Sequence, residues 1–194
     1  HRRHAIDRQH PTLTMHSSIL DLPDWAHVSD KRAEHIQRVT ALLNSWAAAM
    51  RLPPAEARAF LDAGVLHDAL RDASEAELRD ITGDGESPLG LLHGPAAAVM
   101  LKKNGETRAD VLDAVRYHTV GHVRWGVVGR ALFMADFLEP GRKFMRQDRY
   151  FLALQVPNSF DAVFRQVVRM RLEWTVREGN HIFPDTVALW NSLQ

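Results

Sequence analysis

The stretch "LDAGVLHDAL", residues 61–70, decides how this chain must fold. Leu61, Ala63, Val65, Leu66 and Leu70 call for a dry core, yet His67 and Asp68 stand side by side among them. An ionised carboxylate in a core costs several kcal/mol unless it is paired, hydrogen-bonded or bound to a metal. On a helix the two side chains are about 100° apart, so both reach one point only near the edge of a bundle interior. Partners for such a pair have to arrive from other helices.

Working outward, the chain offers those helices. In "SDKRAEHIQRVTALLNSWAAAM", residues 29–50, Ile36, Val39, Leu43, Trp46 and Met50 recur at three- and four-residue steps, and Ser29 or Asp30 can cap the start. "LPPAEARAF" begins a second helix with Pro53 and Pro54 in its first turn, running to the His67–Asp68 pair. "SEAELRDI" carries a capping box from Ser74 to Glu77, and "TGDGESPLG" is a loop. Further helical patterns lie in "HGPAAAVMLKKNG", in "TRADVLDAVRYHTVG" with Thr107 as cap, and in "VRWGVVGRALFMADFLEPG" up to Pro140. "SFDAVFRQVVRMRLEWTVREGN" and "PDTVALWNSLQ" complete the set. Alternation at period two is absent, so the fold class is all-α. One domain spans residues 29–194, preceded by an extension, residues 1–28, that opens "HRRHAIDRQHPTLTMHSS" and is expected to be flexible in part.

Composition narrows the chemistry. Lys plus Arg and Asp plus Glu are 24 each, so no net charge calls for nucleic acid or an anionic membrane. Phosphate chemistry would have to rest on local basic residues. Cys is absent, which removes disulfides, thiolate metal sites and cysteine nucleophiles and fits a reducing cytoplasm. No apolar run approaches the roughly 18 residues of a membrane span, and no signal-peptide pattern is present.

Of 11 histidines, His35, His67, His93 and His118 sit in or beside helices with apolar neighbours. Asp136 of "ALFMADFL" repeats the puzzle of Asp68. Taken singly, each is ordinarily a satisfied core or boundary residue. Together they supply the imidazole nitrogens and carboxylate oxygens that a divalent metal needs. This sulfur-free donor set suits iron, manganese or zinc about equally.

"RAEH", "LHD" and a distant "AD" resemble the H…HD…D signature of the HD superfamily of metal-dependent phosphohydrolases. Within it the chain is similar to the YqeK-type group, the symmetrical bis(5'-nucleosyl)-tetraphosphatases. "SDKRAEH", "LHDALRD", "LLHGPAAA", "RYHTVG" and "ADFLEPGRKF" follow in that group's order over about residues 29–190. The resemblance implies an HD-domain helical bundle with His35, His67, Asp68 and Asp136 as metal ligands, iron being the metal of choice. It implies that His93 and His118 face nucleotide phosphates or hold a second metal, and that Arg32, Arg71, Thr119 and Arg142 contact nucleotide. Arg71 stands where the group usually has Lys, Ala97 where Gly is common, and "TVGH" replaces the usual Thr-Gly-Arg.

The expected reaction is hydrolysis of diadenosine tetraphosphate, or a related dinucleoside polyphosphate, into two ADP. Asp68 would orient water, while His93 and His118 would bind phosphate or protonate the departing diphosphate. Expected partners are the nucleotide substrate and ADP product, without nucleic acid or membrane, and a second copy in a homodimer. Three rivals stay open: a metal-dependent mononucleotidase, a non-catalytic metal- and nucleotide-binding sensor, and a helical interaction module. Trp125 and Tyr117, beside "YHT", are further candidates for stacking on a base, and "VRMRLEW" is read as a closing helix without a chemical role.

Overall fold

Ser29 sets the start of the first helix: its hydroxyl accepts the backbone N–H of Arg32, and Asp72 in turn accepts the Ser29 N–H and hydroxyl. Such a cap is worth about 1 kcal/mol. A computed structural model describes residues 20–194. Among them are α1 (Asp30–Ala49), α2 (Pro54–Leu66), α3 (Glu75–Thr82), α4 (His93–Lys103), α5 (Ala109–Tyr117), α6 (Val127–Leu138), α7 (Arg146–Gln155), α8 (Phe160–Arg177) and α9 (Pro184–Asn191). A short 3-10 turn, Leu89–Leu91, precedes α4, and the described residues contain no strand.

The apolar periodicity of α1 is realised: Ile36, Val39, Leu43 and Trp46 are all buried. Helix α6 is buried on nearly every side, from Val128 to Leu138 with Arg130 as the outlier. A helix that apolar has to run through the middle. Around it α1, α2, α5, α7 and α8 contribute one apolar cluster, centred on residues such as Phe60, Phe133 and Phe164. Truncating one of these rings to alanine costs about 3–5 kcal/mol. A second cluster joins Leu70, Leu78, Leu92, Ala96–Ala98, Leu101 and Val115 beneath α3 and α4.

Two glycines let helices approach closely. A Cβ on Gly64 of α2 would lie 2.8 Å from Leu43 Cδ1 of α1, and one on Gly94 of α4 would lie 2.8 Å and 2.9 Å from the carbonyl oxygens of Val115 and Arg116. All three distances are below van der Waals contact, so a hydrogen in place of a methyl sets the spacing.

Three details differ from the sequence expectations. Helix α2 stops at Leu66, so His67 is its C-cap and Asp68 lies in the following turn. Thr107 is not a cap: α5 starts after Arg108, and the Glu106 carboxylate accepts the Thr107 and Arg108 N–H groups instead. Helix α7 carried no recognised pattern, because it buries only Arg149 and Ala153 while leaving Tyr150, Phe151 and Leu154 exposed. The extension's first 19 residues lie outside the described residues. Its later part is tied down, with the His27 N–H donating to Ala69 O and Trp25 packed on the second cluster.

Candidate metal centre

The end of α2 explains the opening pair. Because the helix stops at Leu66, His67 and Asp68 are presented by a turn whose next two residues, Ala69 and Leu70, are buried. His67 is fully buried, and its Nδ1–H donates to Gly64 O at 2.7 Å. That bond fixes the tautomer and leaves Nε2 facing inward, buried and with no hydrogen-bond partner. His35, one face of α1, is held the same way: its Nδ1–H donates to Glu139 Oε1 at 3.2 Å. Glu139 also accepts from Arg38 Nε and from the Gly141 N–H, so its position is over-determined.

His35 Nε2 and His67 Nε2 each lie 3.7 Å from Asp68 Oδ2, and His35 Nε2 is 3.2 Å from Asp136 Oδ1 on α6. His35 Nε2 is buried without a hydrogen bond of good geometry. On the other side of Asp68, Oδ1 lies 3.2 Å from His93 Nε2 and 3.4 Å from His118 Nε2. The two imidazole nitrogens are 3.0 Å apart. His118 is anchored by Nδ1–H donating to Val115 O at 2.7 Å, whereas His93 Nδ1 is buried with no partner. Two trios of ligand atoms, His35–His67–Asp68 and Asp68–His93–His118, therefore share one carboxylate.

The charges follow from this packing. Burial alone would raise Asp68, but His67, His118 and His93 around it hold its carboxyl well below the usual range. Asp136 is likewise held low against burial by His35, Arg142 and Arg171. Glu139 falls to about 2, burial being outweighed by His35, Arg38 and the Gly141 N–H. Burial lowers His67 to about 4, and it lowers His93 with help from the charges of His118 and Arg71. His35 goes the other way, up to about 9: burial opposes its charge, but Asp136 and Glu139 outweigh it. Inward ring nitrogens without hydrogen-bond partners, anchored rings and ionised buried carboxylates fit a divalent metal ion, which would take the place of the His35 proton.

Guanidinium groups surround the carboxylates. Arg32 Nη1 donates to Asp68 Oδ2 at 2.7 Å, and Arg142 Nη2 donates to Asp136 Oδ1 at 2.7 Å. Arg71 is half-buried and close enough for its charge to depress His93. The Thr119 carbonyl accepts from Arg171 Nη2 at 3.2 Å, and Thr119 lines a cavity beside that arginine. The structure thus brings His35, His67, Asp68, His93, His118 and Asp136 together, with Arg32 and Arg142 against them. Trp125 does not face the centre. It is buried, donates Nε1–H to Asp113 O and packs edge-on to Phe133, while Tyr117 stacks on His122.

Sequence reasoning missed Glu139, Arg38 and Arg171. Glu139 follows Leu138 in an ordinary helix-end turn, and Arg171 sits among other arginines of α8, so neither stood out. The signal available for Glu139 was its place three residues after Asp136, one helical turn along the same face.

Histidine–aspartate trios hung on an all-helical scaffold define a class. The chain belongs to the HD domain family, whose model matches residues 32–152. Among curated proteins it is similar to the symmetrical bis(5'-nucleosyl)-tetraphosphatase of Bacillus subtilis (strain 168), 25% identical over 139 residues that cover 68% of this chain and 74% of that protein. The enzyme of the same name from Staphylococcus aureus (strain NCTC 8325 / PS 47) is 27% identical over 139 residues, covering 66% of this chain and 71% of the relative. A solved structure from Clostridium acetobutylicum, described as a "predicted HD superfamily hydrolase involved in NAD metabolism", superposes with a TM-score of 0.72 at 23% identity. The match covers 85% of this chain and 89% of that one, and it shows a shared fold. Among the described residues no helix is long and apolar enough to cross a membrane.

Proposed function

We propose that the chain is a metal-dependent phosphohydrolase that cleaves diadenosine tetraphosphate, or a close relative, symmetrically into two ADP. The observation that carries the reading is the pair of ligand trios sharing Asp68, ringed by arginines, in a chain similar over two-thirds of its length to enzymes of that name. His35, His67, Asp68 and Asp136 would hold the ion, with iron favoured over manganese or zinc. A bound ion supplies Lewis acidity and lowers the pKa of a coordinated water to near neutrality.

The chain's own residues do the rest. Arg32, Arg71 and Arg142 neutralise the phosphate chain and the charge that builds on the leaving group. Arg71 is the freest of the three, with no ion pair among the described residues, whereas Arg32 and Arg142 also brace Asp68 and Asp136. His93 and His118 sit across Asp68 from His35 and His67, where one can take a phosphate oxygen while the other moves a proton to the departing oxygen. Asp68 orients the water. The reading carries with it a cytoplasmic setting, a homodimer, and no nucleic-acid or membrane partner.

The test is chromatographic product analysis with diadenosine tetraphosphate, using protein supplied with iron or manganese beside a chelated sample and His67→Ala. Two ADP, lost in both controls, is the expected outcome. AMP plus ATP would replace the cleavage position, and binding of ADP without turnover would replace the enzyme with a sensor.

A further inference from the structure

Arg149 of α7 is a buried charge whose hydrogen bonds all go to backbone carbonyls. Its Nε donates to Phe137 O at 2.9 Å, and its Nη1 to Arg142 O at 3.2 Å and Phe144 O at 3.3 Å. Its Nη2 donates to Phe137 O and, at 2.9 Å, to Glu139 O. The five N–H groups of the guanidinium are thus all used, on four carbonyls. The same group lies 4.7 Å from the centroid of the Phe144 ring and 5.5 Å from that of Phe137. Burial and the charge of Arg142 bring Arg149 down to about 10, so it stays charged at neutral pH.

Stability alone does not call for such a residue, since well-packed apolar side chains often replace buried ionic groups at no cost. What sets the four carbonyls apart is the segment that carries them. Residues 137–144 leave the end of α6, turn through Pro140 and Gly141, and enter α7. The turn holds itself poorly. Pro140 has no N–H to give, and the backbone bond from Arg142 N–H to Glu139 O is long at 3.4 Å. Met145 then takes a left-handed backbone, φ 43°, which costs a residue with a side chain about 1–2 kcal/mol. A turn of this kind persists only where its surroundings fix it, and Arg149 grips it at four points. In the middle of that grip stands Glu139, whose Oε1 accepts the His35 Nδ1–H.

We infer that Arg149 is a positioning residue for the metal centre: by fixing segment 137–144 it sets Glu139 behind His35, and so aims His35 Nε2 at the ion. It touches neither the ion nor the substrate. The inference rests on the proposed metal ligands, and the identity of the substrate does not enter it.

The experiment measures manganese affinity by chelator competition in wild type, Arg149→Lys, Glu139→Ala and the double variant. Tm and the visible absorption of the cobalt-loaded proteins are recorded alongside. Lysine keeps the charge but gathers its three N–H groups at one point, which cannot span four carbonyls. Arg149→Lys is expected to remain folded, to lose about tenfold or more in manganese affinity, and to shift the cobalt bands, which follow ligand geometry. Because the effect runs through Glu139, adding Arg149→Lys to Glu139→Ala is expected to cost less than about threefold more. Manganese affinity and cobalt bands equal to wild type, with only Tm lowered, would overturn the positioning role. So would losses that multiply in the double variant, or an Arg149→Lys chain that does not fold, because the arginine would then serve the fold alone. Wild type that takes up no manganese would remove the metal centre and the inference with it. The expected losses in a protein whose wild type leaves diadenosine tetraphosphate intact would sink the proposed reaction and keep the positioning role.

Discussion

The two trios that share Asp68 are built to different standards. In the first, His35 and His67 each give Nδ1–H to a fixed acceptor, Glu139 in one case and the Gly64 carbonyl in the other. In the second, His118 is anchored to Val115 O, but His93 Nδ1 has no partner. Anchored rings hold their lone pairs on one point, which is what an ion requires. His93 is held on its inner side alone, with Nε2 3.2 Å from Asp68 Oδ1 and 3.0 Å from His118 Nε2. On the proposed reading, the difference would separate a half that holds the ion from a half that works on the substrate.

The sharpest way to break this division is His93→Gln. If the second trio serves phosphate binding and proton transfer, turnover of the proposed substrate falls about 10²- to 10⁴-fold while metal affinity stays within a factor of about two. Metal content measured alongside the kinetics decides it. Loss of metal in step with the rate would merge the two halves into one two-ion site. Next in size is Glu139→Gln, which leaves His35 in place but weakens its orienting bond. Metal affinity should drop about 10- to 100-fold, the range for lost support behind a ligating histidine. An unchanged affinity in a chelator competition would mean that His35 needs no anchor.

The smallest change lies away from both trios and calibrates them. Glu106 accepts from Arg108, which also binds Asp62 of α2, and these bonds hold its carboxyl at about 2, the Arg108 side chain being the main cause. Its stabilising effect is therefore complete above about pH 4.5, the ordinary glutamate value, and is lost as pH falls toward 2. Glu106→Gln should cost about 1 kcal/mol at pH 7, roughly 2–4 °C in Tm, without touching metal affinity. The two melting curves should converge as the pH is taken down through that window. A gap that persists at low pH would trace the loss to the backbone caps at Thr107 and Arg108 instead.

How far the sequence reached depends on what each residue's signal was. Helices with a wet side and a dry side announced themselves: the burial of Ile36, Val39, Leu43 and Trp46 follows their spacing. So did the six chemical residues, because a histidine or aspartate inside an apolar run contradicts its neighbours. Helix α7 was silent, since its apolar residues Tyr150, Phe151 and Leu154 point outward and its buried Arg149 reads as a surface charge. That arginine donates to the carbonyls of Phe137, Glu139, Arg142 and Phe144, a capping role that only the fold reveals. Arg171 was hidden for the same reason. Arginine is so common on helix surfaces that its burial has to be seen.

Gly94 carries a consequence for genetics. It stands next to His93, and the space a methyl group would need there is filled by the carbonyls of Val115 and Arg116 and by the His118 ring, 3.2 Å from a Cβ. Alanine would favour the helix on propensity grounds, and a substitution score would rate the exchange as mild. Here it would have to lever α4 off α5 and part the two histidines by a fraction of an ångström to an ångström. The expected product is a helical protein made less stable by the overpacking, about 1–3 kcal/mol, in which the two histidines no longer meet. In a mutational screen this position would group with the histidines it separates, though it has no side chain to contribute.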